Sequence, residues 1–274
     1  MSFEGAGMAM LPQQTDRIAK LQTSLGKDTL SLTRFDGIEG ISEFFEFTIE
    51  AVAEKSVGDL NAIIGQDASI VFEGQTAQRI FSGVVTAVDD LGLSYEFHTY
   101  RLTLRPWLWL LSHTSDCRIY HEMSSTDIIR DVFSRRGFQN FEFKTTENYE
   151  PREYCVQYRE TDRDFVCRLM EEDGMYFYFK HDEGSHTLVI ADSKSSHQPV
   201  PGLSTVDYNP SAIGPDVKVE TISEIRTVRN FQPGRYALNE YDYKKPSASM
   251  KTDSSDPTGH RHDSLELYDY PGRY

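Results

Sequence analysis

The stretch from Tyr158 to Asp192, YRETDRDFVCRLMEEDGMYFYFKHDEGSHTLVIAD, constrains the fold most, because it sets a sharply bounded amphipathic helix directly before an aromatic hairpin. Thr161 with Asp164 three positions on fits a capping box, in which side-chain oxygens satisfy amides left free at a helix start. Gly174 suits the left-handed residue that ends a helix, so the spacing predicts one from about Asp162 to Asp173. Phe165, Val166, Leu169 and Met170 make one apolar stripe, while Arg163, Arg168, Glu171 and Glu172 face elsewhere. Beyond Gly174 the period changes to two: Tyr176, Tyr178 and Lys180 alternate with Met175, Phe177 and Phe179, as in a strand covered on both faces. Asp182, Glu183 and Gly184 turn the chain into HTLVIAD. The stretch holds no catalytic constellation and reads as a part of an assembly.

The same grammar occurs once before. Ser124 and Asp127 box a helix with the stripe Ile128, Ile129, Val132 and Phe133, and Gly137 ends it before FQNFEFK. Cap, stripe and terminator recur in one register at 161, 164, 165, 166, 169, 170 and 174, which suggests a short helix-strand repeat. Any capped helix before a strand shares some of this pattern.

Upstream, strand patterns follow one another from Asp28 to about Ser112. In FEFTIEA, Phe45, Phe47, Ile49 and Ala51 form one face against Glu46, Thr48 and Glu50. DASIVFEG, RIFSGVVTAVDD and SYEFHTYRLTLR continue the series, with turn signals at Gly74 and at Asp90 to Gly92. Tyr95 and Phe97 share a face whereas Tyr100, Leu102 and Leu104 take the other, so a bulge is expected near His98 or Thr99. These strands predict a small antiparallel barrel. Pro106 cannot donate to a ladder and ends the last strand. Residues 1–25 read as a flexible arm with a weak helical stretch around Arg17 to Leu21. Downstream, VKVETISEIRTV alternates like a half-exposed strand, and Lys245 to His262 reads as a polar loop.

Composition excludes some functions. At 274 residues the chain can bury a sizeable core, and its 15 Tyr and 16 Phe mark a β-rich globular protein. A net charge of −15 opposes nucleic acid and anionic membrane surfaces, which reward basic patches. Cys117, Cys155 and Cys167 have no C-x-x-C spacing, so neither a disulfide framework nor a zinc site is indicated; buried thiols in a reducing compartment are expected. The start, MSFEGAGMAMLPQQTDR, lacks a basic region followed by an apolar core, and no apolar run is long enough to span a bilayer, so cytoplasmic synthesis and folding are expected.

Five residues are candidates for subunit contact. Trp107 and Trp109 lie in the run WLWLL, which either packs in the core or anchors a partner, since Trp concentrates binding energy at interfaces. Glu171, Glu172 and Asp173 crowd the last helical turn, where the helix dipole disfavours negative charge. They are either solvated or met by bases of a neighbouring subunit.

An enzyme is the main rival class. His260, Arg261, His262 and Asp263 sit on a Ser-rich loop, and a hairpin would bring His181 and His186 together, yet neither set has metal-site spacing. The sequence contains no G-x-S-x-G, H-E-x-x-H, P-loop or G-x-G-x-x-G, so no catalytic residue, metal ligand or cofactor is assigned. A carbohydrate-binding module is a second rival, because exposed aromatics on sheets can stack on sugars.

YRETDRDFVCRLMEEDGMYFYF resembles the VgrG family, the spike proteins of bacterial type VI secretion systems. FEFTIEA, FSGVVTAV, YRLTLRPWLWLLS, DCRIYHEMSSTDIIRDVF and YDYPGRY are similar to successive family segments in family order, over about residues 28–274. The resemblance implies an α+β, mostly antiparallel fold like the hub of contractile phage tails, with small β-barrels and an intervening α+β unit. It places a first barrel at 26–112, the α+β unit at 113–192, and a loop with the start of an incomplete second barrel at 193–274. It further implies a homotrimer that adapts the hexameric Hcp tube to the spike and meets baseplate proteins. A spike tip protein and effectors would bind through regions beyond this chain. Export without a signal peptide, into the medium or a target cell, would follow. A hub of a phage tail or related injection particle would share the fold.

Overall fold

The computed structural model describes residue 14 and residues 17–74, 78–199, 205–211, 221–257 and 259–272. The chain forms two compact units, Met1–Thr221 and Ile222–Tyr274.

Unit 1 begins with a curled sheet of six antiparallel strands: β1 (Ala19–Gln22), β2 (Ser31–Ile38), β3 (Glu46–Ala53), β4 (Asp67–Glu73), β5 (Gln78–Ser94) and β6 (Phe97–Arg105), in the order β1-β4-β5-β6-β3-β2. Phe45, just before β3, and Phe47, Ile49 and Ala51 within it are buried, as their alternation demands. Phe35, Phe47, Phe72 and Phe81 from β2, β3, β4 and β5 pack inside the curl, with Phe35 and Phe81 5.1 Å apart between ring centroids. The two sheet edges are joined by one side chain. Gln14 Nε2 donates to the carbonyls of Leu21 in β1 (3.2 Å) and Leu30 before β2 (3.1 Å). Its Oε1 accepts from the amides of Leu21 (2.8 Å) and Leu32 (3.2 Å). The carboxamide thus stands where a peptide group of another strand would lie.

Three readings change here. Arg17 to Leu21 is not helical: Ala19–Gln22 pairs with β4 and Leu21 is buried, because the sheet edge satisfies its backbone. Asp90 to Gly92 is not a turn; β5 runs through it, and the register slips between Asp90 and Gly92 opposite Tyr100 and Thr99. The bulge therefore lies on β5 at Leu91 and not on β6. The turn falls at Tyr95 and Glu96, where Tyr95 takes a φ of 57°; Tyr95 thus lies outside β6, in which Phe97 and Tyr100 fall on opposite faces without a break.

After Pro106 a short helix α1 (Trp107–Leu110) leads into β7 (Ser115–Tyr120), α2 (Ser125–Arg135), β8 (Phe141–Lys144), β9 (Cys155–Thr161), α3 (Asp162–Glu172), β10 (Tyr176–Asp182) and β11 (Ser185–Ala191). Ser124 Oγ accepts from the Asp127 amide at 3.2 Å and Thr161 Oγ1 from the Asp164 amide at 3.0 Å, so both helices start at the expected caps. Gly137 and Gly174 end them with φ of 81° and 67°, which a side chain would resist. All eight stripe residues are buried. The strands that follow diverge: β8 runs parallel to β11, whereas β10 pairs with it antiparallel. β7 and β9 form a separate two-stranded ribbon. Two-residue strands β12 (Asp207–Tyr208) and β13 (Thr221–Ile222) follow. The reading of VKVETISEIRTV as one strand lies partly outside the described residues, and within them only Thr221–Ile222 is a strand.

In unit 2, β14 (Arg235–Leu238) pairs antiparallel with β15 (Thr252–Ser255) and parallel with β16 (Glu266–Asp269). β15 lies within the segment read as a loop, since its backbone pairs with β14 despite its polar side chains. Among the described residues of unit 2 only Gly234 and Ala237 are buried, while Tyr236, Tyr243, Leu267 and Tyr268 are exposed.

Gln14→Ala should cost roughly 1–3 kcal/mol, because four backbone groups of the sheet edges lose their partner. Urea unfolding followed by tryptophan fluorescence measures it; an unchanged midpoint would show that water replaces the carboxamide.

Candidate functional site

The hairpin β10–β11 lies across the first sheet through a polar seam. Register places His181 opposite His186, as the sequence suggested, with ring centroids 6.3 Å apart. Three of their four ring nitrogens meet groups of the chain. His181 Nδ1 accepts from the Ser82 amide (3.1 Å) and Nε2 faces Glu39 Oε1 at 3.1 Å. His186 Nε2 accepts from the Trp107 amide at 2.9 Å. Ser69 Oγ accepts from the Gly184 amide (2.9 Å) and lies 2.7 Å from Ser82 Oγ, which donates to the Asp182 carbonyl. Burial, with His181 nearby, pushes the His186 imidazole down to about 3, so it is neutral at physiological pH.

The five candidate contact residues separate. Trp107 is 4% exposed; its ring stacks on Phe138 at 4.7 Å and meets Phe133 edge-on at 4.9 Å. Its ring packs within the chain's own core, because the turn after Pro106 points it inward. Trp109 is half-buried between the Arg105 guanidinium, 4.8 Å from its ring, and the His113 ring at 4.6 Å. Glu172 accepts from Arg152 (2.6 Å) and Arg168 (2.9 Å), and Asp173 from Arg152 (2.7 Å). The bases expected from a neighbour thus come, for these two acids, from within the chain. Burial pushes the Glu172 carboxyl up, but the hydrogen bonds from Arg168 and Arg152 outweigh it and hold the group below its ordinary range. Glu171 alone of the three is exposed.

A second charged centre escaped the sequence reading. The Asp162 side chain is fully buried and accepts from Arg136 Nε (2.6 Å), Gln157 Nε2 (2.7 Å) and Thr114 Oγ1 (2.8 Å). Burial raises its pKa, yet these three donors outweigh that and leave it lowered. It ties α3 to the end of α2, to β9 and to the segment before β7. In sequence it looks like any acid in a first helical turn, and nothing in the spacing announces Arg136.

Apolar side chains also reach the surface of unit 1. Tyr95 is 100% exposed at the β5–β6 turn, with Leu93 beside it at 67%. On the β7–β9 ribbon, Cys117 pairs with Tyr158 and Ile119 with Val156, so these side chains share a face; Ile119 and Tyr158 are exposed. Cys117 is exposed as well, contrary to the expectation of buried thiols, because a two-stranded ribbon leaves this face uncovered. Among the described residues no helix is long and apolar enough to cross a membrane.

This antiparallel half-barrel with a docked α+β unit is the fold of phage-type tail hubs. The chain belongs to the phage tail baseplate hub (GPD) family, which it matches over residues 38–274. It is 38% identical over 96% of its length to the type VI secretion system spike protein VgrG1b of Pseudomonas aeruginosa, and spans 36% of that relative's length. An Escherichia coli component of the type VI secretion system, described as structurally similar to the T4 bacteriophage tail proteins gp27 and gp5, superposes with a TM-score of 0.60 at 25% identity, over 65% of this chain and 50% of the other. A tail protein from Neisseria meningitidis shares the fold, with a TM-score of 0.59 at 14% identity over 92% of this chain and 69% of the other.

The neutral His186 sets a pH dependence. An unfolded histidine gains its proton near 6.5 while the folded one resists to about 3, so stability is full above 6.5 and falls as pH drops through that window. The slope should approach about 1.4 kcal/mol per pH unit from this group. His186→Gln, which keeps an acceptor for the Trp107 amide, should flatten the decline between pH 6.5 and 5 in urea titrations; an unaltered slope would refute the assignment.

Proposed function

We propose that this chain is the hub section of a type VI secretion spike. It acts by shape and assembly and performs no catalytic step. The observation that carries the reading is similarity to a named spike protein along 96% of the chain, joined to the tail-hub fold. In this reading residues 26–112 form the first barrel, 113–192 the middle unit, and 193–274 the loop and the start of a second barrel. Three copies make a pseudo-sixfold ring that adapts the hexameric Hcp tube to a threefold spike and contacts the baseplate. Assembly is cytoplasmic, and sheath contraction then expels the spike, with its tip protein and effectors, into the medium or a target cell. The exposed aromatics of unit 2 support this reading, since a sheet whose one buried residue is Ala237 needs further cover to be stable. The fold shared with the Neisseria tail protein keeps a phage-type hub as the second reading.

Of the candidate contact residues, Trp109 and Glu171 keep surface for a neighbour. Light scattering across a concentration series should find a mass of three chains, and Glu171→Lys should shift it toward one. A strict monomer at every concentration would contradict self-assembly by this section.

A further inference from the structure

Strand β5 outruns its neighbour on one side. β4 pairs with it only as far as Asp67 opposite Val84, and the ladder closes where the Gly65 amide donates to the Val85 carbonyl (2.8 Å) and the Val85 amide to the Gln66 carbonyl (2.9 Å). Over residues 86–94 the strand pairs with β6, and no other strand among the described residues takes its second side. Register slips between Val85 and Ala87 and between Asp90 and Gly92 bracket a regular stretch, residues 87–90, opposite Thr103, Leu102, Arg101 and Tyr100. In an antiparallel strand every second residue directs its N–H and C=O to a given side, so about two of these four present both groups outward. Such a row is a template for another strand, and proteins commonly guard it with lysine, proline or bulges. Here the bulges limit its length, while residues 86–97 contain no Lys, Arg or Pro.

We propose that residues 87–90 take an added strand from a basic segment of another protein. Asp89 and Asp90 are both exposed and, as consecutive residues of a strand, point to opposite faces of the sheet. Side chains of an added strand alternate in the same way, so an acid stands beside it on each face whichever register it adopts. Cross-strand pairs of opposite charge stabilise and like charges destabilise, which selects a strand carrying Lys or Arg. Arg101, opposite Asp89 on β6, hydrogen-bonds Glu50 on β3 at 2.9 Å. A second copy of this chain paired about the middle of residues 86–94 would set Asp90 against Asp90, between two chains of net charge −15. Leu91, Leu93 and Tyr95 are exposed on the same hairpin and offer apolar contact to residues that alternate with the basic ones. This edge lies in unit 1 and is independent of how many chains the hub contains.

The peptide acetyl-KVKVKV-amide, titrated into the nitrogen-15-labelled protein, should move the backbone amide resonances of residues 87–90 saturably. At saturation it should slow the hydrogen exchange of the outward amides by about 10-fold or more, because a ladder encloses them. Acetyl-EVEVEV-amide should bind more weakly by about 3-fold or more, and Asp89→Lys should reduce that preference by a similar factor. The lysine peptide N-methylated at every residue keeps its charge but cannot donate to a ladder, and should also bind more weakly by about 3-fold or more. Amides at 87–90 that exchange as slowly in the free protein as that of Leu102 would show that the chain itself occupies the edge, and would overturn the proposal. Slowing that grows with protein concentration, together with a doubled mass by light scattering, would overturn it in favour of a second copy. Equal binding of the three peptides, no saturable movement, or movement centred elsewhere in the chain would overturn it as well.

Discussion

Phe45 occupies the point in unit 1 where the first sheet and the hairpin of the middle unit become one core. Its ring stacks on Phe47 at 4.5 Å and meets Phe179 and His186 edge-on at 5.0 and 5.3 Å. The apolar cluster around it runs without a break from β1 to β11 and takes in both helix stripes. Each large side chain so buried contributes on the order of 1.5–3 kcal/mol. Sheet and middle unit therefore gain their stability together, and the two imidazoles fix the register of the docking by accepting the amides of Ser82 and Trp107.

Local features of this arrangement are legible in the sequence because they repeat at short range. Both caps, both stripes, both terminating glycines and the alternation of FEFTIEA and YFYF need only neighbours within a few residues. Features that join distant segments are not legible. Gln14 reads as one polar residue in an undistinguished arm, yet it closes the sheet across 16 residues to Leu30. Arg136 and Asp162 lie 26 residues apart, and Arg152 and Asp173 21, so their pairing exists only once α2, α3 and the strands between them have packed. The bulge was misplaced for a related reason: a phase change shows that register slips or a turn intervenes, not on which strand.

The charge pattern follows the same division. In a chain of net charge −15, arginines stand where acids are buried or crowded: Arg136 at Asp162, Arg152 and Arg168 at the end of α3. Surface pairs contribute little by comparison. What remains outside is a mixed surface of acids and single apolar side chains such as Tyr95 and Ile119, which suits a part that meets other proteins. A unit built on one continuous core resists separation of its halves.

Hydrogen exchange at the amides of Ser82 and Trp107 tests that continuity most directly. If the hairpin and the sheet share one cooperative core, both amides exchange only through global unfolding of unit 1, with the same protection as Leu102 at the centre of β6. Protection lower than that of Leu102 by a factor of ten or more, roughly 1.4 kcal/mol, would show that the hairpin undocks by itself and would contradict the account.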